Sequence, residues 1–329
     1  MRSSLSLVLV ALVACHGGEP RRVPAAPSGS ALPPVAAAPA PATDPWAVAP
    51  PVDPRPTLAE RKQFVDEACP TVTGPYFYRI EKAGKVSHIL GTRHISVSLA
   101  KFPRAVHDAL DAAKLVVFEV APGDDTHPTS SSVNLRESLG DTTWKHYEGL
   151  VGPDFAQAVQ TAPPAAALIS LMVMYEDPGA QLEKEIEQAI AAKNTPTRGL
   201  ETAAFQDEVL ARLLDVRMLR TTIDHTENRD ELAQDSRKDL REYCAGTSDT
   251  GGMDPEDRAD MLDAGYTKAE VDRYDEEMLY ARNADWIPKL EPILATGGAF
   301  IAVGAGHLQG PKSVIALLTA RGYKTTRVK

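Results

Sequence analysis

The chain has 329 residues, a formal net charge of −10 and 43% apolar residues, which allows one or two domains with a sizeable core. The acidic balance argues against a nucleic-acid partner, because nucleic-acid binders usually carry a basic patch. The three cysteines are too few for a disulfide-dense scaffold or for a zinc site built from four cysteines. No apolar run reaches the roughly 18–20 residues that a transmembrane helix needs.

The N-terminus has the features of a secretory signal peptide, expected over residues 1–14. Arg2 gives a short positive region, and an apolar stretch of the expected length follows it. The residues LVAC at 12–15 resemble a bacterial lipobox, which implies cleavage before Cys15 and acylation of its thiol. Such acyl chains bind the lipid bilayer, and the lack of Asp after the cysteine favours the outer membrane, facing the periplasm. An ordinary signal peptide that contains a cysteine is the alternative.

Residues 15–56 form a predicted disordered tether rich in Pro and Ala, because 12 of the 26 prolines fall between Pro20 and Pro56. Such a segment cannot bury enough apolar surface to offset the entropy lost on ordering. The folded domain is therefore expected over residues 57–329. Within it, Cys69 and Cys244 can form a disulfide in an oxidising periplasm, or they can be two separate buried thiols.

The folded part begins with the pattern of a β-hairpin and ends with a strand, a helix and a further strand. Strands separated by helices at both ends predict an α/β or α+β fold with a mixed central β-sheet, flanking helices and a largely helical middle insertion. The predicted strands are 76–80, 86–90, 115–120, 197–200, 299–303 and, at the sheet edge, 323–328. The predicted helical segments are 102–114, 151–175 with a break at Pro163-Pro164, 181–192, 203–240, 268–294 with bends or breaks at Pro288 and Pro292, and 313–320.

One pattern occurs twice, an apolar strand followed by Gly-x-x-His. It ends in His94 near the start of the domain and in His307 near its end. Glycine at a strand exit permits close backbone approach, so each histidine can reach the crevice at the carboxyl ends of the strands, where open α/β sheets bind ligands. Two imidazoles brought together in this way suit a divalent metal. Two unrelated loop histidines are the alternative.

Three charged residues are further candidates. Glu119 ends an apolar strand, where a carboxylate is costly unless it is paired, bound to metal or exposed. Glu201 follows a shorter strand, and it also opens a helix, where the helix dipole favours an acid. Arg282 lies on a helix before the last strands and can clamp a carboxylate or phosphate, although such an arginine is ordinarily an ion-pair residue.

In their order and spacing, these motifs resemble the TraB/PrgY/GumN family, which includes the Tiki metalloproteases. The resemblance covers about residues 74–328 and implies an α/β core similar to the erythromycin-esterase/ChaN group. It also implies a metal-dependent peptidase that uses manganese or cobalt rather than zinc, with His94, His307 and Glu119 at the metal. The motifs are the two Gly-x-x-His sequences, Phe118-Glu119-Val120, Gly199-Leu200-Glu201-Thr202, Arg282-Asn283 and the segment 303–310.

Arg93 departs from the family pattern, in which a small or apolar residue usually precedes the histidine. A cation there opposes metal binding unless it points away, and it could instead hold an anionic group of a substrate. In a metallohydrolase acting on a peptide or small molecule, Glu119 would be a third ligand or the general base. Glu201 or Arg282 would orient the ligands or stabilise developing charge. A metal-independent hydrolase of the erythromycin-esterase kind and a non-catalytic peptide-binding or signalling module remain open.

Overall fold

The computed structural model describes residues 54–124, 133–248 and 251–329. The expected signal peptide, the lipidation site Cys15 and nearly all of the expected tether lie outside the described residues. Among the helices described, none combines the length and the hydrophobicity required to cross a membrane.

A six-stranded mixed sheet forms the centre of the described chain. The strands are β1 (Phe77–Lys82), β2 (Lys85–Thr92), β3 (Leu115–Val120), β4 (Thr197–Glu201), β5 (Ala299–Gly304) and β6 (Lys324–Arg327). Their order is β4-β3-β5-β2-β1-β6. Strands β4, β3, β5 and β2 run parallel to one another. Strands β1 and β2 form the predicted antiparallel hairpin, and β6 pairs antiparallel with β1 at the edge.

Helices cover the sheet and fill the long connections on either side of β4. Those before β4 are α1 (Leu58–Ala68), α2 (Arg104–Asp111), α3 (Leu135–Leu139), α4 (Asp141–Val151), α5 (Pro153–Val159), α6 (Pro164–Met172) and α7 (Leu182–Ala191). Those after it are α8 (Ala203–Leu213), α9 (Val216–His225), α10 (Arg229–Ala245), α11 (Pro255–Asp263), α12 (Lys268–Asp275), a π-helical turn (Glu276–Tyr280), α13 (Ala281–Thr296) and α14 (Val314–Ala320).

Two hydrophobic cores account for this arrangement. One surrounds the sheet and includes Phe77, Ile89 and Phe300 with Trp286 from α13. The other is almost entirely helical and is built around residues such as Trp144. Because the second core lies in the connections around β4, the predicted α/β fold with a mixed sheet and a helical middle insertion is confirmed.

Helix boundaries in the middle of the chain differ from the sequence prediction. The stretch expected to be helical from 203 to 240 is divided into α8, α9 and α10, because Asp215 and Asn228 cap new helices through their side chains. Conversely, α13 runs through Pro288 and Pro292, both of which lie on its exposed face. The change in helical geometry occurs upstream instead, at the π-helical turn.

A disulfide joins Cys69, just after α1, to Cys244 near the end of α10, with a Cα–Cα distance of 5.9 Å. Both residues belong to the core around the sheet. Of the two possibilities that the sequence left open, the structure therefore contains the bridge. It ties α10 to α1 across 175 residues of chain.

Candidate functional site

The parallel strands bring three of the predicted site residues to one edge of the sheet. Strands β2 and β5 are neighbours in register, with Thr92 paired to Gly304. His94 follows β2 by two residues, and His307 follows β5 by three residues in a short 3₁₀ turn. Glu119 lies at the end of β3, on the other side of β5. The side chains therefore meet beyond the carboxyl ends of three adjacent strands, where α/β sheets bind ligands.

Gly91 explains why the first motif needs its glycine. A Cβ atom at this position would lie 2.8 Å from Tyr76 Cβ and 3.0 Å from Ala305 Cα. These distances are shorter than ordinary van der Waals contacts, so a larger residue would push apart β2 and the turn that carries His307. The close backbone approach inferred from the sequence is thus present at this glycine.

His94 is held by a half-buried carboxylate from α7. Its Nδ1 lies 2.7 Å from Glu183 Oε1, and the Thr92 hydroxyl donates to the same oxygen. Burial alone would lower the pKa of His94, but the adjacent Glu183 carboxylate, with Glu119 nearby, raises it to about 9. The other ring nitrogen, Nε2, is buried and has no hydrogen-bond partner in the described chain.

His307 is fully buried and is oriented by α13. Its Nδ1 lies 2.6 Å from Asn283 Oδ1, while the Asn283 amide donates to the Lys312 carbonyl, which fixes the orientation of the amide. Nδ1 therefore carries the proton and Nε2 carries a lone pair. Burial lowers the pKa of His307 to about 3, so the ring is neutral. Like its counterpart in the first motif, this Nε2 has no hydrogen-bond partner within the described residues.

Glu119 lies between the second histidine and a buried arginine. Its Oε1 accepts from the Gly304 N–H at 2.6 Å and lies 3.6 Å from His307 Nε2. Its Oε2 accepts from Arg282 Nη2 at 2.9 Å and from Gln206 Nε2 at 3.0 Å. Burial alone would raise the pKa of Glu119, but the neighbouring imidazoles and the guanidinium lower it to about 2.

Arg282 links Glu119 to Glu201 beneath the histidines. It donates to both oxygens of Glu201, from Nη2 at 2.6 Å and from Nε at 3.1 Å, and its Nη1 donates to the Met278 carbonyl in the π-helical turn. The Trp286 indole also donates to Glu201. Burial raises the pKa of Glu201 despite these contacts. Both oxygens of Glu201 are thus occupied, whereas Glu119 faces the histidines.

Sequence reasoning missed the residues that orient this group. Glu183 holds His94 across 89 positions, and Gln206 joins the two carboxylates of Glu119 and Glu201. Trp286 packs on the His307 ring with centroids 4.3 Å apart. Its position one helical turn after Arg282 was the available sequence signal, because residues four apart share a helix face.

The segment of the chain that contains this site matches the sequence model of a known family. The model of the TraB/PrgY/gumN family matches residues 76–327. The chain belongs to this family. The match begins one residue before β1 and ends with β6, so the TraB/PrgY/gumN region includes the whole sheet. Comparisons with curated proteins and with solved structures give no significant match.

Arg93, which departs from the usual TraB/PrgY/gumN motif, is paired within the chain. Its guanidinium donates to the carboxylate of Glu176, a residue that is only 2% exposed and that also accepts from the Ser96 hydroxyl. The positive charge beside His94 is therefore balanced by a buried carboxylate. This pairing argues against the use of Arg93 as a clamp for an anionic substrate group.

Proposed function

We propose that the chain is a metal-dependent hydrolase that acts on peptides. The supporting observation is the pair of buried Nε2 atoms on His94 and His307, which have no hydrogen-bond partner in the described residues. A buried polar atom without a partner costs about 1–3 kcal/mol, and a bound cation, which would displace the proton of His94, would remove that cost. In each ring the other nitrogen is held by Glu183 or Asn283, which is the usual arrangement around a metal-bound histidine.

Glu119 is the nearest third donor. One of its oxygens faces His307 Nε2 at 3.6 Å and accepts a single backbone hydrogen bond, so it retains acceptor capacity. Within residues 54–124, 133–248 and 251–329, no three His, Cys, Asp or Glu side chains form a ready-made ligand cluster. The unpartnered Nε2 atoms of both histidines and the remaining acceptor capacity of Glu119 nevertheless support our proposal that a cation binds to His94, His307 and Glu119. Two imidazoles and a carboxylate suit zinc as well as manganese or cobalt, so the proposal of manganese or cobalt rests on the family resemblance.

The surrounding residues would perform distinct tasks. A bound divalent cation supplies Lewis acidity, which activates water and polarises a scissile carbonyl. Glu183 and Asn283 orient the imidazoles, and Arg282 holds one oxygen of Glu119 so that the other faces the site. Glu201 has both oxygens engaged and would act by holding Arg282 in place.

One observation favours a second candidate, the metal-independent acid–base hydrolase. His94 and Glu183 form a carboxylate–imidazole pair with the hydrogen-bond geometry expected of a base and its orienting group. In that mechanism His94 would transfer protons and Glu119 would stabilise charge. The two candidates differ in whether the protein retains metal.

The deciding experiment is elemental mass spectrometry on the purified chain after reconstitution with manganese, cobalt or zinc. The wild type would be compared with His94→Ala and His307→Ala, and with His88→Ala as a matched control. His88 lies on the same strand as the first motif but stacks on Phe77, away from the site. We expect about one equivalent of metal in the wild type and in the control, and loss of it in both site variants.

Retention of metal by the wild type would be followed by a peptide-hydrolysis screen that includes Glu119→Gln. A folded wild type that retains no metal but hydrolyses peptides or esters would support the acid–base candidate. If all proteins are folded but retain no metal and hydrolyse no substrate, both enzyme candidates are excluded and the non-catalytic binding module remains.

We also propose that the chain is anchored through acylated Cys15 to the outer membrane and faces the periplasm. The disulfide between Cys69 and Cys244 supports an oxidising compartment. Cys15→Ser should move the protein from the membrane fraction to the soluble fraction and abolish labelling by a radioactive fatty acid. Unchanged membrane association of the variant would contradict the anchor.

A further inference from the structure

A cavity of about 110 Å³ adjoins the first histidine. It lies between the end of β2 and helix α10, and its lining includes His94, Arg93, Glu176, Asp239 and Glu242. Its volume is several times the roughly 10–15 Å³ that one water molecule requires, so the cavity can hold the end of a side chain. A group bound there would lie directly beside the proposed reacting centre.

Carboxylates outnumber guanidinium groups in the lining of this cavity. The guanidinium of Arg93 pairs with Glu176 and also attracts the carboxylate of Asp239, which lies three positions before Glu242 on one face of α10. In the part of the chain that the structure describes, neither carboxylate accepts a hydrogen bond or forms an ion pair. Burial raises the pKa of Asp239 to about 6, although the guanidinium of Arg93 opposes the increase, and the neighbouring carboxylates of Glu176 and Glu242 add to it. The cavity lining therefore has an excess of negative charge, because one guanidinium, that of Arg93, faces the carboxylates of Glu176, Asp239 and Glu242, while His94 is already paired with Glu183.

A second feature indicates that the cavity receives a ligand. The side chain of His94 is 90% buried, and its Nε2 has no partner in the described chain. The lining of the cavity therefore includes both His94, a residue of the proposed reacting centre, and the carboxylates of Asp239 and Glu242, which can bind a cation. The hydroxyls of Tyr76 and Tyr243 donate to backbone carbonyls, so these two lining residues contribute ring surface that suits a methylene chain.

We propose that this cavity is the specificity pocket of the hydrolase and that it takes the cationic side chain of a peptide, the ammonium of lysine or the guanidinium of arginine. The inference rests on the proposed function, because it identifies the substrate class of the same site. Asp239 and Glu242 would bind the charge, and the two tyrosine rings would pack against the aliphatic stem. The peptide bond nearest to that side chain would then lie at His94.

The test measures binding by titration calorimetry and, in the same samples, peptide integrity by mass spectrometry. The probes are acetyl-Ala-Lys-Ala-amide and its norleucine and glutamate analogues. Two further probes distinguish other sources of an ammonium group: Ala-norleucine-Ala-amide with a free N-terminus, and spermidine. The proteins are the wild type, Asp239→Asn, Glu242→Gln, the double variant, and Glu187→Gln as a control for loss of an exposed carboxylate that is not in the cavity lining.

We expect the lysine peptide to bind the wild type at least about tenfold more tightly than the norleucine peptide, since only the lysine side chain has a charged group that can donate hydrogen bonds to the carboxylates. This preference should fall below about threefold in the double variant and persist in Glu187→Gln. Equal binding of lysine and norleucine peptides, or a preference that survives in the double variant, would overturn the proposal. Spermidine or the free N-terminus binding as tightly as the lysine peptide would overturn the assignment to a side chain.

The readouts separate the two proposals. One outcome is that the lysine preference is present and depends on Asp239 and Glu242 while no probe is cleaved and no metal is retained. That result would support the cation-binding pocket and contradict the proposed hydrolase. If metal is retained and a peptide is cleaved without any preference for lysine, the hydrolase stands and the pocket assignment fails. Circular dichroism on each variant confirms that it is folded.

Discussion

Replacing Arg282 with methionine should be among the most destabilising single changes in this chain. The Arg282 side chain is 2% exposed, and its partners Glu119 and Glu201 are 5% and 3% exposed. The substitution removes four hydrogen bonds and leaves two buried carboxylates without their cation. Breaking a buried ion pair by removing one partner typically costs about 3–5 kcal/mol, a large part of the roughly 5–15 kcal/mol that stabilises most proteins.

Urea unfolding monitored by circular dichroism, with chelator present, measures this cost. For a denaturant dependence of about 2–3 kcal/mol/M, the midpoint of Arg282→Met should fall by about 1–2 M. The control is Arg104→Met, because Arg104 is 90% exposed and, among the residues that the structure describes, forms only a surface pair with Asp108 at 3.5 Å. That pair should contribute less than about 1 kcal/mol. Adding Glu201→Gln to Arg282→Met should restore part of the loss, since it removes one uncompensated charge.

The pH dependence provides an independent check. In the wild type the low pKa of Glu119 contributes stability that is present above the unfolded value of about 4.3 and is lost as the pH falls towards 2. In the variant, burial without the cation raises the pKa of both carboxylates, so protonation stabilises the folded state. The difference between the two proteins should therefore shrink from pH 8 to pH 4. A loss below about 1 kcal/mol at pH 7, or a difference that grows in acid, would refute the reasoning.

Three further changes have defined outcomes. Replacing Cys69 and Cys244 with serine removes a covalent link across 175 residues. The free energy of unfolding, measured by urea denaturation, should fall by about 2–5 kcal/mol. If a reductant changes the stability of the variant and of the wild type equally, this reasoning is contradicted. Asp239→Asn should stabilise the protein at pH 8 by up to about 3 kcal/mol, because the pKa of Asp239 rises from 3.8 to about 6 on folding. The ionised form therefore costs stability above pH 6, and the gain in thermal melting should fade towards pH 4; a constant gain would contradict that cause. Asn283→Leu removes the partner of His307 Nδ1 and should weaken metal retention about 10–100-fold in competition with a chelator, whereas unchanged retention would show that the amide does not orient the ring.

The sequence by itself determined the strands of the sheet and the position of the two histidines. The apolar run of β3, the hairpin of β1 and β2 and the apolar run of β5 are local patterns. They can be recognised as strands without knowing which other strand each of them pairs with. His94 and His307 follow two such strands at the same offset from a glycine. Once β2 and β5 are parallel neighbours, both motifs must reach the same edge.

Only the tertiary structure decided which groups surround those histidines. Glu183 reaches His94, Arg93 meets Glu176, and Arg282 joins two carboxylates through contacts that span 80 or more positions. The free energy of each pair depends on burial and on the distance between its atoms, and neither quantity is present in a local pattern. The same limit applies to α13, where the exposure of both prolines, set by packing on the sheet, allows the helix to continue through them.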